Sequence, residues 1–302
     1  MAGKILVTGA TGTVGTHVVA GLLAKGEQVV AATRHATPVA GAEARRFDIT
    51  DPATIADAFK GVDRAYVLVP SGHLNVEDLL KPLIAFAAAS GVKVVLQSVF
   101  GVDADDEIPY RRVELALEKS GVPFVILRPN WFADNFRTYW GPGIRAAGVI
   151  AVPAGEGRTS FIDARDIAAS AVAALTSDRF DGRAFNLTGP AAHSYGEAAA
   201  ILSGALGKPV RYDAVANGDT RSNIAAALDA DVVFNITSPA VGRVTAAGMA
   251  VDRVIIPRVH NLMLNCAKPQ FSDAAVRRAL NMAIDRHGIA GLLEPAADGG
   301  FR

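Results

Sequence analysis

The stretch KILVTGATGTVG at residues 4–15 decides how this chain of 302 residues folds. Its first five residues, Lys4–Thr8, form a short and mostly apolar run of the kind that builds a buried strand. From Thr13 to Lys25 the apolar residues recur at helical spacing. A strand, a glycine-rich turn and a helix in this order are the context that a dinucleotide-binding turn requires. The stretch therefore predicts a nucleotide site at residues 9–15.

Each glycine of this turn has its own physical role. Gly9 permits the tight turn, Gly12 lets the backbone approach a diphosphate, and Gly15 lets the helix pack closely on the strand. The start of the helix adds unpaired N–H donors and the positive end of the helix dipole. An ordinary glycine-rich turn is the alternative, and the flanking strand and helix argue against it. We expect the cofactor to contact Gly9, Thr11, Gly12, Thr13, Val14 and Gly15.

Short apolar runs alternate with amphipathic segments along the chain as far as about Asp213. The predicted strands are 4–8, 28–33, 45–48, 64–69, 92–98, 124–127, 159–162 and 184–187. The predicted helices are 13–25, 52–60, 76–90, 110–120, 166–176 and 195–206. This alternation implies right-handed βαβ units and a parallel sheet with helices on both faces. We predict an α/β fold, a Rossmann-type doubly wound parallel sheet with an additional smaller α/β C-terminal segment.

Several helix ends carry their own signals. Asp51 followed by proline is a predicted N-cap, and Ser194 is predicted to begin the helix at 195–206. Gly26, Gly91 and Gly121 stand where C-terminal caps belong.

Composition and charge exclude several classes of protein. Thirty basic residues balance thirty acidic ones, so no net positive charge favours a nucleic-acid partner. Cys266 is the only cysteine, which rules out an intrachain disulfide framework, and the six histidines show no metal-ligand spacing. There is no signal-peptide pattern and no apolar run of the roughly 18–20 residues that span a bilayer. We expect a cytoplasmic protein with a small-molecule substrate and no nucleic-acid, membrane or metal partner; the oligomeric state stays open.

The end of the second predicted strand discriminates between NAD and NADP. An acidic residue there would accept a hydrogen bond from the ribose 2′-hydroxyl of NAD, whereas an arginine would pair with the 2′-phosphate of NADP. The sequence has Arg34 at this point and no carboxylate until Glu43, which favours NADP(H) over NAD(H). A solvated surface arginine is the alternative. Asp48, which closes the third predicted strand, is a candidate for the adenine edge, or else it starts the following turn.

Five segments of the chain follow one family pattern in order: Gly9–Gly15, Arg34, Phe47–Pro52, Leu127–Phe136 and Phe161–Ala168. They resemble the atypical short-chain dehydrogenase/reductases, and most closely the NmrA-like group, over about residues 3–213. The resemblance implies a Rossmann fold, NADPH as cofactor, and quinones or triphenylmethane dyes as acceptors. Asp163 and Asp166 resemble structural aspartates of the family, with an N-cap of the next helix as the favoured role.

The catalytic pair of this superfamily is incomplete. Short-chain dehydrogenases protonate a carbonyl oxygen with a tyrosine and a lysine four residues later, helped by a serine. Ser98 ends the fifth predicted strand and Tyr110 follows, but Glu114 stands where the lysine belongs and would raise the pKa of the tyrosine. Arg111 replaces the His or Lys that NmrA-like proteins usually carry; it could clamp a phosphate but would donate a proton poorly. No general acid is assigned, and Ser98, Tyr110 and Arg111 are the catalytic candidates.

Residues after the sixth predicted strand are candidates for the substrate site. Open α/β sheets bind their ligands at the carboxyl ends of the strands. That position is occupied by Asn130, Trp131, Phe132 and Asn135, and the two aromatic rings are stacking surfaces. The same cluster extends through Phe136, Tyr139 and Trp140. All of these aromatic side chains could instead belong to the core.

The last third of the chain has a different pattern. The polar segment from Ala214 to Asn223 is a linker candidate, which divides the chain into a Rossmann domain at 1–215 and a segment at 216–302. Residues 231–236, 262–269 and 271–286 resemble part of a family 5 extracellular solute-binding protein of ABC transporters, over about 223–293. Such a fragment is too short for a two-lobed cleft, so we expect it to bind no peptide or metal.

Three functions follow from the sequence. The first is an NADPH-dependent oxidoreductase that transfers hydride to a small conjugated or carbonyl acceptor. The second is a non-catalytic NADP(H)-binding redox sensor, since the resemblance group includes such sensors and the Tyr–Lys pair is missing. The third is a chimeric protein whose reductase domain is incompletely capped and inactive.

Overall fold

The computed structural model describes residues 3–70, 73 and 75–214. In chain order the strands are β1 Lys4–Thr8, β2 Val29–Thr33, β3 Glu43–Arg46, β4 Val62–Val67, β5 Lys93–Gln97, β6 Phe124–Pro129, β7 Val149–Val152, β8 Arg158–Thr159, β9 Arg183–Leu187, β10 His193–Ser194 and β11 Arg211–Ala214. The α-helices are α1 Gly15–Ala24, α2 Ile55–Phe59, α3 Val76–Ala89, α4 Pro109–Glu118, α5 Gly141–Ala147, α6 Ala164–Leu175 and α7 Tyr195–Leu206. Short 3₁₀ turns lie at Pro52–Thr54, Val102–Ala104, Ala133–Phe136 and Asp178–Phe180.

Seven strands form one sheet in the order β3-β2-β1-β4-β5-β6-β9, and every neighbouring pair is parallel. One core lies between the sheet and helices α1 and α6, and a second lies between the sheet and helices α2, α3 and α4. This confirms the predicted Rossmann-type doubly wound sheet. Because the strand order reverses beside β1, the carboxyl ends of β1 and β4 border the crevice where such sheets bind nucleotides.

The predicted helix ends are confirmed by their hydrogen bonds and backbone angles. Asp51 accepts from the amide of Ala53 at 3.2 Å, and Asp163 accepts from the amide of Arg165 at 2.7 Å. Ser194 begins α7 with a reciprocal capping box. All three glycines at the predicted C-terminal caps have a positive φ, between +65° and +81°.

The third and fourth strands lie two residues earlier than the pattern predicts. The pattern predicts 45–48 and 64–69, whereas the strands occupy 43–46 and 62–67. β3 is the edge of the sheet and all but one of its side chains are polar, so no apolar run marks it. Asp48 therefore does not close the third strand but lies two residues beyond its end.

A small lobe at the carboxyl edge of the sheet is largely missing from the sequence prediction. The chain between β6 and α6 forms α5, β7 and β8, and the chain after β9 forms β10, α7 and β11. β7 pairs with β11 and β8 with β10, around a third core of Trp140, Ile144, Ile150, Tyr195 and Val210. Each of these strands has at most four residues and pairs with a distant segment, so local periodicity does not detect it. Of the predicted strand 159–162, only Thr159 lies in β8, and Ile162 forms an isolated bridge with Phe132.

The predicted boundary at the linker falls at the limit of the described structure. Ala214, where the linker is predicted to begin, is the last residue of β11. The rest of the linker, Cys266 and the whole segment 216–302 with its solute-binding resemblance lie outside the described residues.

Two kinds of feature are absent from the part of the chain that the structure describes. Its longest helix, α3, has 14 residues, and none is long and apolar enough to cross a bilayer. The same residues contain no group of three or more His, Cys, Asp or Glu side chains that could hold a metal ion.

Candidate cofactor and acceptor site

The glycine turn continues directly from β1 and is held against β4. Gly9 has a φ of +61°, which glycine adopts without strain, and the Gly12 amide donates to the Gly9 carbonyl at 2.8 Å. The Thr8 hydroxyl donates to the carbonyl of Tyr66 at 3.1 Å and accepts from the amide of Leu68 at 3.2 Å. These bonds place the turn at the crevice between β1 and β4.

There is little room for a Cβ at the two later glycines. A Cβ on Gly15 would lie 2.1 Å from the carbonyl oxygen of Gly9, and one on Gly12 would lie 3.1 Å from the same atom. Gly15 is buried where the helix meets the turn, in agreement with the packing role expected for it. Gly12 is exposed, so a side chain there would also cover the surface at which a diphosphate is predicted to bind.

The start of α1 presents unpaired backbone donors. No side chain caps this helix, and the amides of Thr13, Val14 and Gly15 donate no hydrogen bond to any described residue. Thr11 and Thr13 are exposed, whereas Val14 is buried. Such free amides at a helix start fit the diphosphate of a dinucleotide.

Arg34 follows β2 directly and is exposed to solvent. Among the described residues, its guanidinium has no hydrogen-bond or salt-bridge partner. The turn beneath it is fixed by Thr33, whose hydroxyl accepts from the amide of Thr37 at 2.7 Å. Arg34 is thus positioned to pair with an anionic ligand at the end of β2.

Asp48 has the turn-forming role that the sequence left as its alternative. Its Oδ1 accepts from the amide and the hydroxyl of Thr50 at 3.0 and 2.7 Å. These bonds lower the pKa of Asp48, with a smaller contribution from the charge of Arg34. Its Oδ2 accepts no hydrogen bond from the described residues, so contact with an adenine edge stays a prediction.

Ser98 and Glu114 are buried together, with exposed fractions of 2% and 0%. The Ser98 hydroxyl donates to Oε1 of Glu114 at 2.5 Å. Arg128 donates to the two oxygens of Glu114 at 3.0 and 2.7 Å, and to Asp103 at 2.7 Å. The network joins β5, α4 and β6 below the carboxyl edge of the sheet. The Ser98 proton is therefore committed to Glu114 and does not face an acceptor.

The other two catalytic candidates, Tyr110 and Arg111, are also engaged in structural contacts. Tyr110 packs against the core beneath α3 and α4, and this burial raises its pKa. The cause is burial and not the Glu114 carboxylate that the sequence argument invokes. Arg111 donates to Asp106, Glu114 and Glu118 at 3.1, 3.1 and 2.8 Å, so it is not free to clamp a phosphate.

The four predicted acceptor residues separate into an exposed and a structural set. Trp131 is 47% exposed at the carboxyl edge. Asn130 uses its Oδ1 to accept from the amide of Trp131 at 2.8 Å, and Phe132 packs against the core under α1 and α6 and pairs with Ile162. Asn135 is half-buried, and its carbonyl accepts from the amide of Trp140 at 2.8 Å.

The aromatic residues that follow form one cluster in the small lobe. Trp140 lies 4.8 Å from Phe136 and 5.3 Å from Tyr195 between ring centroids, and 5.8 Å from Trp131. It is buried and its Nε1 has no hydrogen-bond partner among the described residues, whereas Tyr139 is exposed. Trp140 thus belongs to the core, which is the alternative that the sequence left open. Trp131 and Tyr139 lie at the surface, and their role as stacking surfaces stays a prediction.

Two apolar side chains that the sequence analysis does not select border the same edge. Val99 and Phe100 follow β5 and are 41% and 38% exposed. The amide of Phe100 donates to the carbonyl of Pro129 at 3.0 Å, which brings this loop beside the one that carries Trp131. The available sequence signal was a pair of apolar residues that continues past the end of a buried strand. Val99, Phe100 and Trp131 are called the apolar rim below.

Comparison with known proteins gives consistent matches. The sequence model of the NmrA-like family matches residues 1–262. A (4-alkanoyl-5-oxo-2,5-dihydrofuran-3-yl)methyl phosphate reductase of Streptomyces griseus is 34% identical over 284 residues, 91% of this chain and 98% of the relative. An NAD(P)H azoreductase of Xenophilus azovorans is 37% identical over 221 residues, 70% of this chain and 77% of the relative. The NADPH complex of an NADPH-dependent quinone oxidoreductase of Escherichia coli is 25% identical with a TM-score of 0.65, covering 76% of this chain and 83% of that one.

These matches bear on the part of the chain beyond the described residues. The family match runs to residue 262, past residue 213 where the sequence analysis ends the resemblance. The comparisons give no support to a fused fragment of a solute-binding protein.

Proposed function

The chain belongs to the NmrA-like family, and on that premise we propose that it is an NADPH-dependent oxidoreductase acting on a small conjugated or carbonyl acceptor of quinone or dye type. NAD(P)H-dependent reduction is named for the azoreductase and quinone oxidoreductase relatives. The preference for NADPH over NADH is the finer part of the proposal, and it depends on Arg34.

In this proposal the residues of the chain bind and orient the cofactor and the acceptor, and they exclude water from the site. Bound NADPH would supply a hydride to the acceptor. The amides of Thr13, Val14 and Gly15 hold the diphosphate, and Arg34 pairs with the 2′-phosphate. The apolar rim holds a flat acceptor and removes water from its face.

One observation carries the proposal, the position of two features at one edge of the sheet. The glycine turn offers unpaired amides at the carboxyl end of β1, and the apolar rim lies at the carboxyl ends of β5 and β6. A hydride donor bound at the first and an acceptor at the second share the crevice in which this fold binds its ligands.

The proposal is tested by an acceptor screen. NADPH oxidation by the full chain is followed by absorbance with three acceptors. They are the naphthoquinone menadione, an azo dye and a triphenylmethane dye. Steady turnover with at least one of these acceptors is the expected result. Saturable NADPH binding without turnover of any of them would contradict the proposed activity.

Removing the Arg34 guanidinium should remove the preference for NADPH. Arg34→Ala is expected to weaken NADPH binding by about tenfold, the effect of losing one charge-assisted pair, and to leave NADH binding unchanged. Competitive titration of the two cofactors measures both values. Arg179→Ala, which removes an exposed arginine near the opposite edge of the sheet, is the control. An unchanged ratio of NADPH to NADH affinity in Arg34→Ala would remove this role.

Trp131 should contribute to acceptor binding and not to cofactor binding. Trp131→Ala is expected to raise KM for a naphthoquinone by about three- to tenfold, because aromatic stacking contributes about 0.5–1.5 kcal/mol. The affinity for NADPH should stay unchanged. Leu206→Ala removes an equally exposed apolar side chain on α7 and should change neither constant. A wild-type KM in Trp131→Ala would exclude the ring from the acceptor site.

A redox sensor that binds NADP(H) is the second candidate. It is favoured by the state of the three catalytic candidates, since Ser98 and Arg111 are committed to carboxylates and Tyr110 is largely buried. Tight NADPH binding with no turnover in the acceptor screen would select it.

Two further sequence predictions stay predictions. A cytoplasmic location rests on sequence features alone, and so does a separate segment at 216–302. If that segment is an incidental fusion, deleting it should leave NADPH affinity unchanged. A deletion that abolishes NADPH binding would show that the segment belongs to the reductase.

A further inference from the structure

Gln97 and Tyr66 form a polar pair on the face of the sheet that α1 and α6 cover. Tyr66 is fully buried in the core of that face, and its hydroxyl donates to Oε1 of Gln97 at 2.5 Å. Burial raises the pKa of Tyr66, so the hydroxyl keeps its proton. A buried tyrosine therefore holds one side of the Gln97 amide.

The pair fixes the direction of the amide. The Tyr66 hydroxyl donates to Oε1 of Gln97, so the amide oxygen faces it and the NH₂ group does not. Tyr66 stands opposite Val95, two residues before Gln97 along β5. Gln97 is the last residue of β5, so its side chain lies at the carboxyl edge, with Oε1 held by Tyr66 and the NH₂ group turned away from that hydroxyl. Within the described residues this NH₂ group makes no hydrogen bond, and Gln97 is half-buried and not enclosed.

Gln97 lies between the glycine turn and the apolar rim. β4 separates β5 from β1, so the end of β5 is roughly 10 Å from the end of β1, at about 4.8 Å per strand. Val99 and Phe100 of the rim follow Gln97 directly. The adjacent Ser98 donates its proton to Glu114. Gln97 thus offers a side-chain hydrogen-bond donor at this edge, whereas the hydroxyl of Ser98 is already used.

We propose that the side-chain NH₂ of Gln97 donates a hydrogen bond to the carbonyl oxygen of the acceptor, and that Tyr66 is the positioning residue for this amide. The inference rests on the proposed function. When the acceptor gains a hydride, a C–H bond of the reduced nicotinamide would break and a new C–H bond would form on the acceptor. The displaced π pair moves onto the carbonyl oxygen, which then takes a proton from water. An oriented donor stabilises the charge that develops on this oxygen.

The first test separates turnover from cofactor binding. Gln97→Leu is expected to lower kcat with menadione by about 100- to 1,000-fold, the effect of losing one preorganised donor, with NADPH affinity unchanged. Tyr66→Phe should give a smaller fall in kcat, because the amide remains but is free to rotate. Gln28→Leu makes the same substitution at an exposed glutamine just before β2, at the amino edge, and should have no effect.

The second test needs no turnover. A donor facing the ligand oxygen lowers the pKa of bound p-nitrophenol, since it stabilises the phenolate. Absorbance titration with the full chain should show this lowering in the wild type and in Gln28→Leu, but not in Gln97→Leu. Tyr66→Phe should show an intermediate value.

The outcomes separate this inference from the function on which it rests. Wild-type kcat in Gln97→Leu, or an equal loss of NADPH affinity and activity, would overturn the role of Gln97. An unchanged pKa of p-nitrophenol in that variant would do the same. If the wild type turns over no acceptor but the p-nitrophenol pKa still depends on Gln97, the donor stands and the proposed reductase activity fails.

Discussion

Gly15→Ala is expected to abolish NADPH binding and to destabilise the fold. The new Cβ would lie 2.1 Å from the carbonyl oxygen of Gly9; the Cβ position is fixed by the backbone and the oxygen is a backbone atom, so neither can rotate away. Overpacking of this kind costs about 1–3 kcal/mol, or roughly 3–10 °C in Tm for a domain of this size. The turn must move to relieve the contact, which displaces its amides from the diphosphate. Affinity for NADPH should fall by at least about 100-fold.

Two alanine variants distinguish the binding effect from the stability effect. Gly12→Ala places a Cβ 3.1 Å from the same oxygen on an exposed surface, so it should weaken NADPH binding with a small change in Tm. Gly204→Ala adds a Cβ on α7 where nothing lies within 4 Å, so it should leave NADPH affinity unchanged and raise Tm slightly, because alanine favours the helix over glycine. Thermal unfolding and NADPH titration measure both. A Gly15→Ala protein with wild-type Tm and affinity would show that the turn is not packed as described.

Arg128→Met is expected to cause the largest loss of stability. It leaves the fully buried Glu114 with Arg111 and Ser98 as partners and removes its two bonds from Arg128. Removing one partner of a buried ion pair costs about 3–5 kcal/mol, because the remaining charge stays in a poorly solvated site. Urea unfolding of the variant should show this decrease in the free energy of unfolding.

A surface arginine of α4, the helix that carries Glu114, provides the matched control. Arg112 pairs with Glu107 and Glu77 and is largely solvent-exposed, so Arg112→Met should cost less than about 1 kcal/mol. Replacing Glu114 and Arg128 together by apolar residues should restore part of the stability lost in Arg128→Met. An Arg128→Met protein as stable as Arg112→Met would contradict the description of Glu114 as a buried, paired carboxylate.

The parts of the molecule that local sequence determines were predictable. The glycine turn, the alternation of strands and helices, and the caps at Asp51, Asp163 and Ser194 each depend on residues close together in the chain. The resulting Rossmann-type sheet and membership of an NAD(P)-dependent reductase family are confirmed by the structure and by the relatives.

The parts that depend on long-range pairing were not predictable. β7 and β11 are four-residue strands that meet only through tertiary structure, and the polar edge strand β3 carries no apolar signal. Two partners of Glu114 lie on other segments of the chain, so the sequence places it beside Tyr110 instead of with Ser98 and Arg128. Gln97 has no local motif either, and its role emerges only from the buried hydroxyl of Tyr66.

The most direct test of the central claim, that the turn at Gly9–Gly15 binds a nicotinamide dinucleotide, is a fluorescence titration of the folded full chain. The two tryptophans, Trp131 and Trp140, lie in the candidate acceptor region, so energy transfer from them to NADPH reports binding. Saturable binding of NADPH that is tighter than that of NADH, and that Gly12→Ala weakens, is the expected result. A protein with a sharp thermal transition that binds neither cofactor would contradict the account.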